Sequence, residues 1–378
     1  MGAPPDDPEG PAMPAARTLS DRELTASYFG RQLLHRTEPL DATAAVTRLT
    51  ALQAQYSPSP HLALWARLPG FEPRQLEAAL LDGTVVKSTL MRGTLHLVPG
   101  ADYGHLAAAW RRRWLTELRG RHQDADLDEG ALEASLRAFA AVPRSAEELR
   151  EHTAAASGGR VRTADLLHYP RALLPLVHVA PSGHWRAHGK PRMVLWDGEL
   201  PPEPAATARL LRRYLAGYGP ASRADLAHFT GLRLRQVDPA LAELDGLDGL
   251  VRYRAGDGRE LLDLPGAPPP AEPDGELPVR LLPKWDAALL SHADRTRMLP
   301  AGIHQQVYRA VNGTLLATYL VDGLVAGVWE HACERGAAVL TLTPLLPHGR
   351  RPELEREGGR LLALLEPDAE SRRVVFAP

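Results

Sequence analysis

Residues 220–264 decide the fold, and they read PASRADLAHFTGLRLRQVDPALAELDGLDGLVRYRAGDGRELLDL. Ser222 stands where a helix N-cap belongs, and after a glycine the helical spacing continues through 233–244. The segment 250–264 then alternates polar and apolar residues around a Gly-Asp-Gly tip, which predicts a β-hairpin. Helix, turn, helix and hairpin is the order of a winged helix, an architecture that binds DNA.

The same order recurs twice upstream. Residues 84–99, TVVKSTLMRGTLHLVP, follow four helical segments and predict a hairpin. Residues 143–197 run from helices into two strands separated by a Pro-Ser-Gly turn. We therefore predict an α+β fold of tandem winged helices, followed by strands joined through Asn-Gly and Asp-Gly turns and by one amphipathic helix. The expected units are a disordered tail (1–17), winged helix 1 (18–130), winged helix 2 (131–202), winged helix 3 (203–264), a Pro/Gly-rich linker (265–276) and a small C-terminal β-barrel or curled sheet (277–378).

Composition limits the function classes. A chain of 378 residues, 44% of them hydrophobic, can bury several cores. No apolar run approaches the roughly 18 residues of a membrane-spanning helix, and the first residues lack the pattern of a signal peptide. Cys333 is the only cysteine, which excludes an intrachain disulfide and a cysteine-based zinc site. We expect a cytoplasmic protein with no metal, no cofactor and no membrane partner.

The overall charge does not indicate a nucleic-acid binder. Net charge is −2 and the sequence pI is about 6.7. Only three of the 44 cationic residues are lysines, a skew towards arginine that a GC-rich genome also produces. Such a skew does not explain clustering, and residues 110–121, WRRRWLTELRGR, carry five arginines. We predict a helix there that packs its tryptophans inward and turns Arg111 and Arg112 towards phosphates.

Four blocks carry a family resemblance. They are LQAQYSPSP (52–60), MRGTLHLVP (91–99), LLPKWDAALLSHADRTRML (281–299) and VNGTLLATYLVDGLVAGVW (311–329). In this order the chain resembles the winged-helix DNA glycosylases of the AlkZ and YcaQ type, over roughly residues 18–378. The resemblance implies a C-shaped DNA clamp of tandem winged helices and a β-barrel. It also implies a catalytic Gln-x-Gln or Gln-x-Asp motif. Here the motif is Gln53-Ala54-Gln55, as in the AlkZ branch.

Two glutamines limit the chemistry independently of the family. Glutamine does not titrate, so it cannot protonate a leaving base. Two amides can hold a water beneath the anomeric carbon and stabilise an oxocarbenium ion by hydrogen bonds and partial charge. That suffices only when the base is already a good leaving group, as a cationic N7- or N3-alkylpurine is. The pair therefore predicts hydrolysis of cationic lesions.

The position of the pair in the chain also matters. On a regular helix, residues two apart point about 200° away from each other, whereas in an extended segment they share a side. Pro58 and Pro60 oppose a helix through this stretch. We therefore predict that Gln53 and Gln55 lie where a helix has stopped, with both side chains turned towards one cavity.

Further candidate residues for DNA and lesion binding lie outside the glutamine pair. The first wing alternates so that Arg92, Thr94 and His96 share a face, which binds phosphate, lines the lesion pocket or is merely solvated. The segment around Asp294 contacts DNA or forms a structural Asp–Arg network. Trp285 is a core or pocket residue, and Asp286 is a polar wall of the lesion pocket. Lys87 contacts phosphate instead of forming a Schiff base, so no lyase activity is expected. The DNA-binding candidates are Lys87, Arg92, Thr94, His96, Arg111, Arg112, Asp294, Arg295, Arg297, Asn312 and Gly313, and the lesion-pocket candidates are Trp285 and Asp286.

Three functions compete. The first is a monofunctional DNA glycosylase, in base excision repair or antibiotic self-resistance, that acts as a monomer on double-stranded DNA carrying alkylpurine lesions. The second is a winged-helix transcription regulator without catalysis. The third is a lesion sensor that keeps the pocket but has no activity. The Gln-x-Gln pair favours the enzyme, because a regulator gains nothing from two amides that converge outside a recognition helix.

Overall fold

The computed structural model describes residues 16–187, 189–309 and 313–377. Most of the expected tail and Asn312 therefore lie outside the described residues. The described fold is α+β, as predicted.

The first unit follows the predicted order of helices and hairpin. A capping box on Ser20 starts its first helix, and the Asp41 carboxylate accepts from the Ala44 backbone N–H at 2.7 Å at the start of the second. The strands of the 84–99 hairpin pair antiparallel, and a short strand containing Gln53 joins the other edge. Its elements are β1 (Thr18–Leu19), α1 (Asp21–Arg31), α2 (Ala42–Leu49), β2 (Leu52–Gln53), α3 (Pro58–Arg67), α4 (Pro73–Leu81), β3 (Val85–Thr89), β4 (Leu95–Pro99) and α5 (Gly100–Arg121).

The second unit has an apolar core of its own. Trp110 and Trp114 of α5 are buried in it, as the sequence predicted, with ring centroids 4.5 Å apart. They pack beside Leu136 and Tyr169. The predicted strands on either side of the Pro-Ser-Gly turn pair antiparallel. The elements are α6 (Glu129–Phe139), β5 (Arg144–Ser145), α7 (Ala146–Ala156), α8 (His168–Leu173), β6 (Leu176–His178) and β7 (Arg192–Leu195).

The third unit contains residues 220–264, the predicted helix-turn-helix and hairpin. Ser222 is the predicted N-cap, with a capping box to Asp225. The hairpin forms as predicted, but its first strand also pairs in parallel with β1, through Thr18↔Arg254. The N-terminal strand therefore belongs to this sheet. The elements are α9 (Glu203–Tyr218), α10 (Arg223–Thr230), α11 (Leu234–Asp248), β8 (Val251–Ala255) and β9 (Glu260–Asp263).

The C-terminal region forms an open sheet, so the predicted barrel is wrong. Within the described residues the strand order is β10-β13-β14-β15-β16, and the two outer strands do not pair. The last two strands run parallel because helix α14 crosses between them, and that helix covers a face of the sheet without closing it. The elements are β10 (Arg280–Leu282), α12 (Ala287–Leu290), α13 (His304–Val307), β11 (Tyr308–Arg309), β12 (Thr314–Leu315), β13 (Thr318–Val321), β14 (Leu324–Glu334), β15 (Ala337–Pro344), α14 (Arg351–Leu365) and β16 (Ser371–Phe376).

Buried ion pairs join the units, among them the following two. Arg31 of α1 binds Asp263 of β9 at 2.6 and 2.9 Å. Arg67 at the end of α3 binds both carboxylate oxygens of Asp286 at 2.7 and 2.9 Å, and both side chains are fully buried. A single apolar core continues from the first unit through the third into the C-terminal sheet. The segment that carries Gln53 and Gln55 therefore rests on a rigid base.

Candidate active site

The two glutamines meet in a non-helical segment. Helix α2 ends at Leu49, Thr50 has a positive φ of 68°, and the chain then runs extended through β2. The Gln53 amide donates through Nε2 to Gln55 Oε1 at 2.7 Å. Pro58 does not merely stop a helix, since it is the first residue of α3, where its missing N–H has no cost. The two side chains thus converge as the extended geometry requires.

This hydrogen bond fixes which amide atoms remain available. Gln55 Oε1 already accepts from Gln53, so the pair does not present two equal, unengaged oxygens as the sequence argument supposed. Gln53 Oε1 and Gln55 Nε2 have no hydrogen-bond partner among the described residues. Gln53 is half-buried and Gln55 is exposed. The site therefore offers one free acceptor and one free donor, with a second lone pair on Gln55 Oε1.

His96 lies beside the pair. It is directly opposite Gln53 in the β2–β4 ladder, so their side chains share a face of the sheet. The imidazole is buried, and Nδ1 is 3.0 Å from the carbonyl of Thr94. Burial, with the nearby Arg92 cation, lowers the pKa of His96 to about 3. It is neutral at pH 7 and does not supply the positive charge that a phosphate contact needs.

The face predicted for the first wing is only partly right. Strand β4 begins at Leu95, and Arg92 lies before it in a tight turn, Met91–Gly93, with a positive φ of 58°. Strand alternation therefore does not apply to Arg92. The Thr94 hydroxyl donates to the carbonyl of Met91 at 3.2 Å and thereby stabilises the turn.

Three of the arginines in the predicted DNA-binding set have no carboxylate partner within the described residues. Arg92 donates to the carbonyl of Phe229 and stacks over that ring at 5.5 Å. Arg295 lies 4.4 Å from the ring centre of Tyr308, at the base of the β11–β12 hairpin. The third, Arg297, lies 5.4 Å from the ring centre of Tyr28. Burial lowers the pKa of Arg92 to about 10, so it remains a cation at neutral pH.

These unpaired cations suit an anion. We name them the arginine set: Arg92, Arg295 and Arg297. Arg92 is close enough to influence His96, which faces Gln53, and it also interacts electrostatically with Arg295. Aromatic rings hold these guanidinium groups without neutralising them, and Arg92 is the member of the set that the contacts link to the amide pair, through His96.

Asp294 is structural. Its carboxylate accepts from the Thr296 backbone N–H at 2.9 Å and from the Thr296 hydroxyl at 2.6 Å, and these bonds lower its pKa. It also faces Arg259 at 3.3 Å. The structural alternative for this loop, an Asp–Arg network, therefore accounts for Asp294, since a carboxylate would repel phosphate.

Two of the basic residues predicted to bind DNA are not available for that contact. Lys87 is only 5% exposed, packs against Gly183 of the second unit, and has a pKa lowered by burial. Arg111 donates to the carbonyls of Ala172 and Leu173, so it caps the end of α8. Arg112 is exposed as predicted, although it forms an ion pair with Glu203.

The predicted lesion-pocket pair is also structural. Asp286 is 2% exposed and both its oxygens bind Arg67, so it cannot line an open pocket. Trp285 packs against the core and donates through Nε1 to the carbonyl of Gly313 at 2.9 Å. Trp285 therefore anchors the β11–β12 hairpin.

Sequence reasoning missed the aromatic partners of the arginine set. Tyr308, Phe229 and Tyr28 come from three distant parts of the chain. No local pattern links a ring to a guanidinium so far away in sequence. The half-buried His228, whose pKa is lowered by burial and by Arg92 and Arg295, was missed for the same reason.

Two properties of the described residues bear on the class of protein. Among residues 16–187, 189–309 and 313–377, no group of three or more His, Cys, Asp or Glu side chains is placed to hold a metal ion. Within the same residues, no helix combines the length and apolarity that a bilayer crossing requires.

Helix-and-hairpin units beside an amide pair and unpaired arginines are features of an enzyme that acts on DNA. The family model described as DNA glycosylase AlkZ-like matches residues 46–364. The match covers most of the chain, so the chain belongs to the AlkZ-like DNA glycosylase family. It is an enzyme that hydrolyses N-glycosyl bonds, not a transcription regulator.

The chain is similar in sequence and in structure to proteins of Streptomyces sahachiroi. An interstrand DNA cross-link repair glycosylase is 23% identical over 357 residues, covering 82% of this chain and 87% of that protein. The solved structure of the DNA glycosylase AlkZ superposes with a TM-score of 0.77 at 21% identity, covering 95% of this chain and all of that one. The structural likeness shows a shared fold.

Proposed function

We propose that this glycosylase excises cationic N-alkylpurines, above all N7-alkylguanine, from double-stranded DNA, with Gln53 and Gln55 as its catalytic residues. The observation that carries the proposal is the hydrogen bond between two amides in an extended segment, beside a neutral histidine. None of these three groups can donate a full proton to a leaving base at neutral pH. A base that is already cationic leaves most readily without protonation, because it departs as a neutral molecule.

The amide arrangement assigns different roles to the two glutamines. Gln53 Oε1 is the free acceptor that holds the attacking water below the anomeric carbon. By donating to Gln55, Gln53 fixes the orientation of the second amide. The remaining lone pair of Gln55 Oε1 then places partial negative charge near the developing oxocarbenium ion.

The arginine set supports the DNA contact. Arg295 and Arg297 have neither a hydrogen bond nor an ion pair to other described residues. We propose that they bind phosphates flanking the lesion, with Arg92 supporting them and with exposed Arg112 more distant. Gly313, at the tip of the hairpin that Trp285 anchors, and the undescribed Asn312 would enter a groove.

The larger arrangement follows the same proposal. The helix-and-hairpin units are winged helices that wrap around a duplex as a C-shaped clamp, and the protein works as a monomer in the cytoplasm. The named relative repairs interstrand cross-links. We propose that this chain also tolerates bulky N7 adducts, including cross-links.

A base-release assay tests the proposal. Duplexes carrying N7-methylguanine, uracil or 1,N6-ethenoadenine are incubated with enzyme in excess, and abasic sites are then cleaved with alkali. We expect release of N7-methylguanine and little release of the two neutral bases. Efficient uracil excision would contradict the argument from amide chemistry, and binding without any release would favour the lesion-sensor alternative.

A further inference from the structure

A cleft of about 430 Å³ opens where three parts of the chain meet. One wall comes from the start of α3, one from the β6–β7 connection, and one from strand β14 with the end of α14. Its aromatic lining residues are Tyr56, Trp185 and Trp329. Clefts of this size suit a small planar ligand.

Two charged groups in the cleft, Lys284 and Glu330, make neither a hydrogen bond nor an ion pair among the described residues. The ammonium of Lys284 lies 5.8 Å from the ring centre of Tyr56, and no carboxylate binds it. Glu330 projects from β14, is exposed, and makes neither a side-chain hydrogen bond nor an ion pair within the described chain. By contrast, Glu366 faces His331 at 3.5 Å, and Arg186 donates to the carbonyl of Leu365 at 2.5 Å. Among the described residues, Lys284 and Glu330 are therefore the charged groups of the cleft that no hydrogen bond or ion pair engages.

The cleft adjoins the amide pair. Tyr56 forms part of its rim and directly follows Gln55 in the chain, so their Cα atoms are about 3.8 Å apart. A sugar placed over the pair would have its base within reach of this rim. The tyrosine ring is 44% exposed and thus available for stacking.

We propose that the cleft is a base-binding subsite that receives the alkylated guanine when it leaves the helical stack; the proposal rests on the proposed glycosylase function. The guanine N1–H and 2-amino groups are donors that the Glu330 carboxylate accepts. Its O6 is an acceptor for the Lys284 ammonium. The ring stacks against Tyr56 and Trp185. Adenine presents an acceptor at N1 and an amino group at C6, so it mismatches both charged groups.

Binding of the free base tests the subsite apart from catalysis. Titration with 7-methylguanine should quench tryptophan fluorescence saturably, and 7-methyladenine should bind more weakly. Glu330→Gln should weaken 7-methylguanine binding roughly 10- to 100-fold, as expected for lost hydrogen bonds to a charged group. Glu334→Gln, which changes an exposed carboxylate on the same strand outside the cleft, is the matched control and should bind normally.

Excision provides the second measurement. Glu330→Gln should lower the single-turnover rate on N7-methylguanine DNA but not on N3-methyladenine DNA. The ratio of the guanine rate to the adenine rate would therefore fall. Absence of saturable 7-methylguanine binding, or unchanged binding and preference in Glu330→Gln, would overturn the subsite. Gln53→Ala should retain free-base binding. A wild-type enzyme that binds 7-methylguanine selectively but releases no base would refute the proposed substrate and leave the subsite standing.

Discussion

Replacing Arg295 with glutamine removes a cation that no carboxylate neutralises in the described structure. Its guanidinium is held 4.4 Å from the ring centre of Tyr308, and under the proposed function it binds a phosphate. One phosphate contact contributes a slope of about 0.9 to the dependence of log affinity on log salt. Losing it should therefore weaken DNA binding about 8-fold at 0.1 M salt and about 15-fold at 0.05 M, with little difference near 1 M.

The assay is fluorescence anisotropy with a labelled duplex at several salt concentrations, and the result should not depend on DNA sequence. Arg137→Gln is the matched control, because Arg137 pairs with Glu133 on the surface of α6 at 2.8 Å. A melting curve checks that losing the cation–π contact costs no more than about 1 kcal/mol. An unchanged salt slope in Arg295→Gln, or a loss of affinity that persists equally at high salt, would refute the phosphate contact.

Three further predictions concern pH, packing and chemistry. Burial lowers the pKa of His61 to about 4 and of His96 to about 3, below the ordinary value of 6.5. The unfolded chain therefore binds more protons below pH 6.5, and stability should fall as pH drops from there towards 4. The free energy of unfolding should fall by roughly 2 kcal/mol per histidine at pH 5. Urea denaturation at pH 7 and pH 5 measures this loss. Equal midpoints at the two pH values would mean that these imidazoles are not held neutral. Asp286→Asn leaves Arg67 buried without its partner and should lower the free energy of unfolding by about 3–5 kcal/mol. The double variant Arg67→Met/Asp286→Leu should recover much of this stability. Chemical denaturation measures both, and a loss under about 1 kcal/mol for the single variant contradicts the buried-pair interpretation. Because Lys87 is buried, no strand cleavage should occur without alkali, and a borohydride-trapped adduct that Lys87→Ala abolishes would show a lyase.

Local signals allowed prediction of much of the fold. Ser222 caps its helix as predicted, because a short polar side chain satisfies backbone N–H groups within the next turn. The hairpins form because alternation and turn residues act within a few positions. The pairing of β1 with β8 joins residues far apart in sequence and left no such signal.

In the candidate site, too, local features were predictable from the sequence and tertiary features were not. The convergence of Gln53 and Gln55 followed from an extended backbone, which is a local property. The burial of Lys87 and Asp286 depends on surfaces brought together by the tertiary fold, so residue type alone suggested exposed roles that they do not have. The open C-terminal sheet has a similar origin, because a helical crossover and a β-barrel both begin from the same run of strands.

The proposed mechanism depends on two hydrogen-bonded amides that catalyse hydrolysis of the N-glycosidic bond to a cationic base. The most direct measurement is the single-turnover rate of N7-methylguanine release by Gln53→Ala and Gln55→Ala, together with the Kd of each for the same duplex. Gln123→Ala, a change at an exposed glutamine outside the pair, is the control. We predict rates lower by roughly 10- to 1000-fold with little change in Kd, because the amides position water and stabilise charge instead of binding DNA. Wild-type rates in both variants would contradict the assignment.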